Sequence, residues 1–414
     1  MNAICLAIDR LHAAYLGCYG NGWIATPAVD RLAGGGFLWD CALIDSPAPE
    51  HVCRSFWTGQ HAVAHDECPS ATNATLLDGL HAAGVATTLL ADDPRISRHP
   101  LAEAFGQRIE LPRSDATQSA VTMEETATAR SFAEALDWLD GRRRSSSREP
   151  FFLWWHLGAM AGAWDAPTAM RERFRAENDP PAAEFINPPH QQLSEETDPD
   201  EVLAVRHAYA AQVELLDHCV EAFLDWFLAS PLAADTLFCL TSIRGIPLGV
   251  HGVIGEPSDV AAPLHSELNQ MAWLMRLPNG EGAADRSGAL VQPADLPATL
   301  LEWWQIPVPF DNSFHGRGLL GVLRGEADAV RDRASIIAPD GQRGLRTPAW
   351  YARFPVDGKA ELYRKPDDRW ETNDVADRCG EIIEQMRAAL EAKDRAMTSS
   401  DTMDLEPLDE ALVE

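Results

Sequence analysis

The sequence is short of positive charge: 34 Lys and Arg stand against 63 Asp and Glu in 414 residues, a net charge of −29. Such a field repels the phosphate backbone of nucleic acid and anionic membranes, so neither is an expected partner. Long apolar runs are also missing. No stretch approaches the roughly 20 residues a membrane-spanning helix needs, and the first ten residues lack the basic, apolar and small-residue pattern of a secretory signal. A cytoplasmic location is the expectation. Cysteine is sparse and scattered, at Cys5, Cys18, Cys41, Cys53, Cys68, Cys219, Cys239 and Cys379. With no CxxC pair and no ligand-like spacing, these positions argue against a disulfide scaffold or a zinc site and read as reduced thiols. Cys5 and Cys239 lie in apolar runs, where cysteine serves as a small core hydrophobe. No internal repeat is present.

What is present is apolar content: 46 % of the chain, enough to bury the core of one large α/β domain. Four short apolar runs, Ile4 to Ile8, Ala86 to Leu90, Phe151 to Trp155 and Leu237 to Thr241, read as buried parallel strands. Helical stretches separate them. In the clearest, from Glu201 to Leu228, Val202, Val205, Tyr209, Val213, Leu216, Val220, Phe223 and Phe227 recur every three or four residues. Asp198 is placed to cap it, and Ser230-Pro231 to end it. The alternation predicts a mostly parallel mixed sheet covered by helices on both faces.

Beyond about Gly325 the pattern changes to short segments around Ala349 to Phe354 and Ala360 to Tyr363, with Asp340-Gly341 and Asp357-Gly358 as hairpin signals. The expected partition is an α/β domain over 1–325, a small antiparallel α+β subdomain over 326–398 and a poorly ordered acidic tail over 399–414. A final helix is expected from Gly380 to Met397. Gly141 to Arg148 and Glu177 to Pro199 read as solvated loops, and Trp154-Trp155 and Trp303-Trp304 as core or half-buried aromatics.

Ligands of open α/β sheets gather beyond the carboxyl ends of the strands. The residues there are Asp9-Arg10, Asp92-Asp93, His156 and Ser242-Ile243-Arg244. Acids and a histidine at strand ends suggest metal-assisted hydrolysis, since carboxylates hold hard cations. Ile243 opposes that reading because an apolar side chain ligates nothing. Asp93-Pro94 reads as a turn and helix start, and His251, in the Gly-rich Gly249-Val250-His251-Gly252, as structural.

The opening Asn2 to Leu11, then Tyr15-Leu16-Gly17-Cys18-Tyr19-Gly20, then Ala25-Thr26-Pro27-Ala28-Val29-Asp30-Arg31-Leu32-Ala33 resembles the start of a sulfatase, within the alkaline-phosphatase superfamily. The likeness continues through Trp57-Thr58-Gly59-Gln60, Pro150 to Trp154, Leu237 to Gly245, Gly249 to Gly252, Gln292 to Leu301 and the C-terminal Glu361-Leu362-Tyr363. The resemblance implies an alkaline-phosphatase-like α/β fold and ancestry in sulfuric-ester hydrolysis. There a formylglycine nucleophile, matured from Cys or Ser in Cys/Ser-x-Pro-x-Arg, works beside a divalent cation such as Ca²⁺.

The same resemblance marks departures. Counting back from Thr58-Gly59 puts Pro49 at the nucleophile position and Cys53 at the arginine position. Cys53 is not followed by x-Pro-x-Arg and reads as a buried helix residue. The second metal-binding strand end, Asp-His/Asn-Gly in the family, is Ile243-Arg244-Gly245, and Ala161 stands where the substrate-facing histidine is usual. Only Asp9 survives of the double aspartate after the first strand. The expectation is therefore a sulfatase-like protein without formylglycine or bound metal, a pseudoenzyme acting as a binding or scaffold partner of a protein or a small anionic ligand. The alternative is an ester hydrolase with a rearranged site drawn from Asp9, Asp92, Asp93, His156 and His251. Asp9, Ile243 and Arg244 are expected together at adjacent strand ends. Arg244 is expected to fork onto Asp9 in place of the ion, with Arg10 pointing to the opposite side of its strand.

Overall fold

The computed structural model describes residues 1–64, 75–113, 116–145, 149–158, 160–258, 261–307, 314–399 and 405–414. Cys68 and Ala159 lie outside the described residues, and the reading of Cys68 as a reduced thiol with them. The other seven cysteines are free thiols. The strands, in chain order, are β1 Asn2–Asp9, β2 Phe37–Ala42, β3 Ala86–Ala91, β4 Gln107–Glu110, β5 Phe151–Leu157, β6 Gln191–Gln192 and β7 Thr236–Arg244. They continue with β8 Val253–Ile254, β9 Trp273–Arg276, β10 Arg286–Val291, β11 Ala334–Ile337, β12 Arg343–Arg346, β13 Trp350–Phe354 and β14 Glu361–Arg364.

Eight of them form one sheet in the order β10-β2-β9-β7-β1-β5-β3-β4. β1 pairs in parallel with both β5 and β7, and β3 in parallel with β5 and β4, while β9 runs antiparallel to β7 and β2. All eight residues of β1 are buried, as a central strand covered on both faces requires. The antiparallel sheet β11-β12-β13-β14 follows. Its turns hold Gly341 at φ 94° and Gly358 at φ 124°, left-handed conformations that a Cβ would oppose.

The chain divides into two units, each assembled from three segments. The first comprises Met1–Leu38, Gly84–Pro263 and Ala272–Arg286; the second comprises Trp39–Ala83, Leu264–Met271 and Ser287–Glu414. This differs from the contiguous 1–325 and 326–398 partition, because segments far apart in sequence fold together.

In the first unit the helix Pro199–Ala229 buries Val205, Tyr209, Val213, Leu216, Val220, Phe223 and Phe227, the stripe its periodicity predicts. Phe223 lies 5.6 Å from Phe227, 5.8 Å from Trp155 and 5.0 Å from Phe238 between ring centroids. The run Gly141–Arg144, expected as loop, is the last turn of a helix, Ala127–Arg144. Arg143 and Arg144 both pair with Asp140, and basic side chains at a helix C-terminus complement its dipole.

In the second unit the helix Gly380–Thr398 buries Ile383, Met386, Ala389 and Leu390 beside Leu345, Ala352 and Leu362 of the small sheet. Residues 405–414 depart from the expected disorder. Leu412 is 2 % exposed in that core, and Trp350 Nε1 donates to the Ala411 carbonyl at 2.8 Å. An acidic composition predicts poor burial on average, but one leucine and one carbonyl suffice to anchor the end of the chain.

Candidate functional site

The first unit gathers charge at the carboxyl ends of its parallel strands. β1 ends in Asp9, which is fully buried, and the β1–β7 register passes from Ile8 opposite Ser242 to Asp9 opposite Arg244. Ile243 is thus the extra residue of a bulge. Bulges re-aim the side chains that follow, and here Arg244 turns onto Asp9. Its Nε donates to Asp9 Oδ1 at 2.9 Å and its Nη2 reaches Oδ2 at 3.5 Å, the fork by which guanidinium meets carboxylate. Ile243 is itself fully buried.

Arg10 corrects the expectation for its side chain. It has φ 61°, a left-handed conformation that ends the strand and breaks the side-to-side alternation of extended backbone. Arg10 therefore turns to the same cluster: its Nη2 donates to Glu256 Oε2 at 2.6 Å and its Nη1 to the Ala161 carbonyl at 3.4 Å. Glu256 accepts from Arg244 Nη1 through its other oxygen. Tyr209 holds this turn in place, donating to the Arg10 carbonyl at 2.8 Å and accepting from the His12 amide at 2.8 Å. At position 161, where the resemblance implies a histidine, the backbone carbonyl rather than the side chain makes the contact.

Burial pushes the Asp9 carboxyl up, yet the charge and hydrogen bond of Arg244, with Arg10 and His156, outweigh it and hold Asp9 at about 2. Burial likewise opposes the charge of Arg244, but Asp9 and Glu256 hold it above the ordinary arginine range. His156, buried on β5, is depressed chiefly by burial, against the pull of Asp9 and Asp93.

The end of β3 adds a second, connected arrangement. Asp93 caps the short helix Pro94–Ser97 through the Arg95 amide at 2.8 Å, and Arg95 Nη2 pairs with Asp93 Oδ2 at 2.6 Å and lies 3.6 Å from Asp9 Oδ2. Asp92 accepts the Gly158 amide at 2.6 Å, and enclosure raises its carboxyl to about 7, the Gly158 bond opposing and the neighbouring Asp93 reinforcing the rise. Asp92, Asp93, Arg95, Arg113 and Thr128 line a cavity of about 370 Å³.

Of the residues singled out in the sequence, Asp9, Arg244, His156 and Asp93 converge, and Asp92 joins them through the cavity wall. His251 lies in the turn before β8, in none of these contacts. Pro49 and Cys53 belong to the second unit. Pro49 is the first residue of the helix Pro49–Thr58, which suits proline's missing N–H, and Cys53 is a fully buried mid-helix residue. The nearest hydroxyl downstream, Ser55, donates to Asp45 Oδ2 at 2.5 Å and to the His51 carbonyl. Sequence reasoning missed Glu256 and Arg95, which carry no motif and reach the cluster only through folding.

A divalent cation of the kind the resemblance implies does not fit these residues. Both Asp9 oxygens face Arg244, the Ile243 side chain has no donor atom, and the Arg244 guanidinium stands at the remaining position the resemblance marks. Among the described residues no three His, Cys, Asp or Glu side chains form a metal-holding group.

The parallel sheet, the antiparallel second sheet and the charged cluster at the strand ends define a protein of the alkaline-phosphatase-like α/β class. The sulfatase family profile matches residues 1–306; the chain belongs to the sulfatase family. Solved structures of similar fold include BT4656, described with its substrate D-glucosamine-2-N,6-O-disulfate, at TM-score 0.77 and 17 % identity over 97 % of this chain and 99 % of that one. The phosphonate monoester hydrolase of Agrobacterium radiobacter aligns at TM-score 0.78 and 18 % identity over 99 % and 98 % of the two chains. BT1596, a 2-O glycosaminoglycan sulfatase, aligns at TM-score 0.71 and 16 % identity over 98 % and 94 %. No curated protein is a significant sequence match.

Proposed function

We propose that this chain is a non-hydrolytic member of the sulfatase family that acts by binding a protein or a small anionic ligand. The observation that carries this reading is the buried fork of Arg244 on Asp9, with Glu256 closing its far side. A fixed cation already neutralises the carboxylate that would hold a metal, so Lewis-acid activation of an ester has no seat there. The absence of a nucleophile at Pro49 and Cys53 supports it independently, since each lost role removes orders of magnitude in rate. Neither formylglycine nor a divalent cation is needed in this reading. The net charge of −29 disfavours nucleic acid and anionic membranes as partners, and a cytoplasmic setting suits the free thiols.

The test is a panel of sulfate and phosphate esters with added Ca²⁺, Mg²⁺, Mn²⁺ or Zn²⁺. No turnover above background is expected. Multiple turnovers that Asp9→Ala abolishes would overturn the proposal.

One observation favours a second reading, an ester hydrolase with a rearranged site. Asp92 lines an open cavity with Arg95 and Arg113 and is raised to about 7, the range in which a carboxyl serves as general acid or base near neutral pH. Turnover in the same panel that Asp92→Asn abolishes and Asp9→Ala leaves intact would favour it.

A further inference from the structure

The cavity of about 370 Å³ at the end of β3 lies wholly in the first unit, and its volume is that of a small-molecule site. Gly158, Ala161, Gly162 and Ala163 make room for it by contributing little or no side chain. Its charged lining consists of Asp92, Asp93, Arg95 and Arg113. Two of these engage each other: Arg95 holds the Asp93 carboxylate through Nε at 3.0 Å and Nη2 at 2.6 Å.

The other two are not joined. Asp92 gives Oδ1 to the Gly158 amide at 2.6 Å, and its Oδ2 has no hydrogen-bond partner among the described residues. Arg113 is exposed and makes neither a hydrogen bond nor an ion pair among them. It attracts the Asp92 charge from a distance. That attraction, with the Gly158 bond, falls short of the cost of enclosure, which Asp93 adds to by repulsion, and the Asp92 carboxyl stays at about 7. No further charge lines the cavity.

A carboxylate with one oxygen free and a separate guanidinium on the same wall are the complement of a zwitterion. An ammonium can donate to Asp92 Oδ2, and a carboxylate can meet the two parallel N–H groups of Arg113. A ligand with only a positive charge would face two guanidinium groups, and one with only a negative charge would face two carboxyl groups. A molecule carrying both charges avoids either conflict.

We infer that this cavity binds a small unbranched amino acid, its ammonium on Asp92 and its carboxylate on Arg113. The Asp9–Arg244 pair takes no part, so the inference goes beyond the non-hydrolytic reading and neither stands nor falls with it.

The experiment titrates the full-length protein at pH 8 with glycine, β-alanine and 4-aminobutyrate by calorimetry, a series that varies the separation of the two charges. At least one is expected to saturate a single site at millimolar concentrations. Its analogues without the ammonium (acetate, propionate or butyrate) and without the carboxylate (methylamine, ethylamine or propylamine) are each expected to bind at least about tenfold more weakly, as loss of a charge-assisted hydrogen bond predicts. Asp92→Asn and Arg113→Gln should weaken the best amino acid by a similar factor while the circular dichroism stays native. Asparagine can still accept the Gly158 amide, and position 113 is exposed, so both variants are expected to fold. Because the ammonium needs ionised Asp92, affinity at pH 6 should be about tenfold below that at pH 8 in the parent and unchanged in Asp92→Asn. No saturation by any of the three, equal binding of either analogue, unchanged affinity in folded Asp92→Asn or Arg113→Gln, or equal affinity of the parent at the two pH values would each overturn the inference.

Discussion

An ionised carboxylate with no water around it needs a counter-charge, and at Asp9 that charge is Arg244. Removing one partner of a buried pair strands the other, which typically costs about 3 kcal/mol or more. Arg244→Ala is expected to lower the unfolding free energy by about that amount in urea titrations; an unchanged midpoint would show that Asp9 has another partner. The pair also fixes a pH window. Asp9 is held at about 2 in the folded protein against an ordinary 3.8, so the stability it contributes is present above about pH 4 and lost as pH falls through about 2. Asp92 has the opposite sign. Raised to about 7, it costs stability once pH exceeds the unfolded value near 4, and the cost is complete above about 7. Asp92→Asn keeps an acceptor for the Gly158 amide and removes the penalty. The variant is expected to be more stable than the parent at pH 8, by about 2 kcal/mol after discounting for partial exposure, and the gain should vanish near pH 4. Thermal melts at the two pH values give the difference.

Among the elements, the bulge at Ile243 is the device that turns a strand end into a closed ion-pair cluster. Without the extra residue Arg244 would not stand opposite Asp9, because a one-residue slip sends every following side chain to the other face. The left-handed turn at Arg10 works in the same way and is held by two hydrogen bonds of the Tyr209 hydroxyl. At the other end of the chain, the short turn Glu410–Leu412 covers Trp350. Deleting residues 405–414 exposes that tryptophan and empties the place of Leu412. Loss of a buried leucine costs about 2 to 5 kcal/mol, and the truncated protein is expected to melt at lower temperature with a red-shifted tryptophan emission. A tail that contributes nothing would leave both unchanged.

For the molecule as a whole, purified protein is expected to retain no stoichiometric divalent cation after dialysis. Calcium takes about six to eight oxygen ligands, and among the described residues the carboxylates of Asp9 and Glu256 are each engaged by a guanidinium. One equivalent of metal by elemental analysis would count against the non-hydrolytic reading. The fold was legible because its signals are local or repetitive: apolar runs for β1, β3, β5 and β7, the three-and-four spacing of Pro199–Ala229, and Asp-Gly turns in the small sheet. The convergence of Asp9 with Arg244 was legible too, since each ends a strand whose place the family pattern fixes. Glu256 and Arg95 were not, because an isolated acid or arginine in a loop carries no period. The interleaved units were hidden for a similar reason, each being built from three separated segments. The sequence by itself determined the family, the mostly parallel sheet with its helices and small antiparallel sheet, and the identities Pro49, Cys53, Ile243 and Arg244 at the positions the family pattern marks. Tertiary structure alone decided which way Arg10 and Arg244 point and that Glu256 bridges them, because backbone conformation and long-range packing set direction and partner.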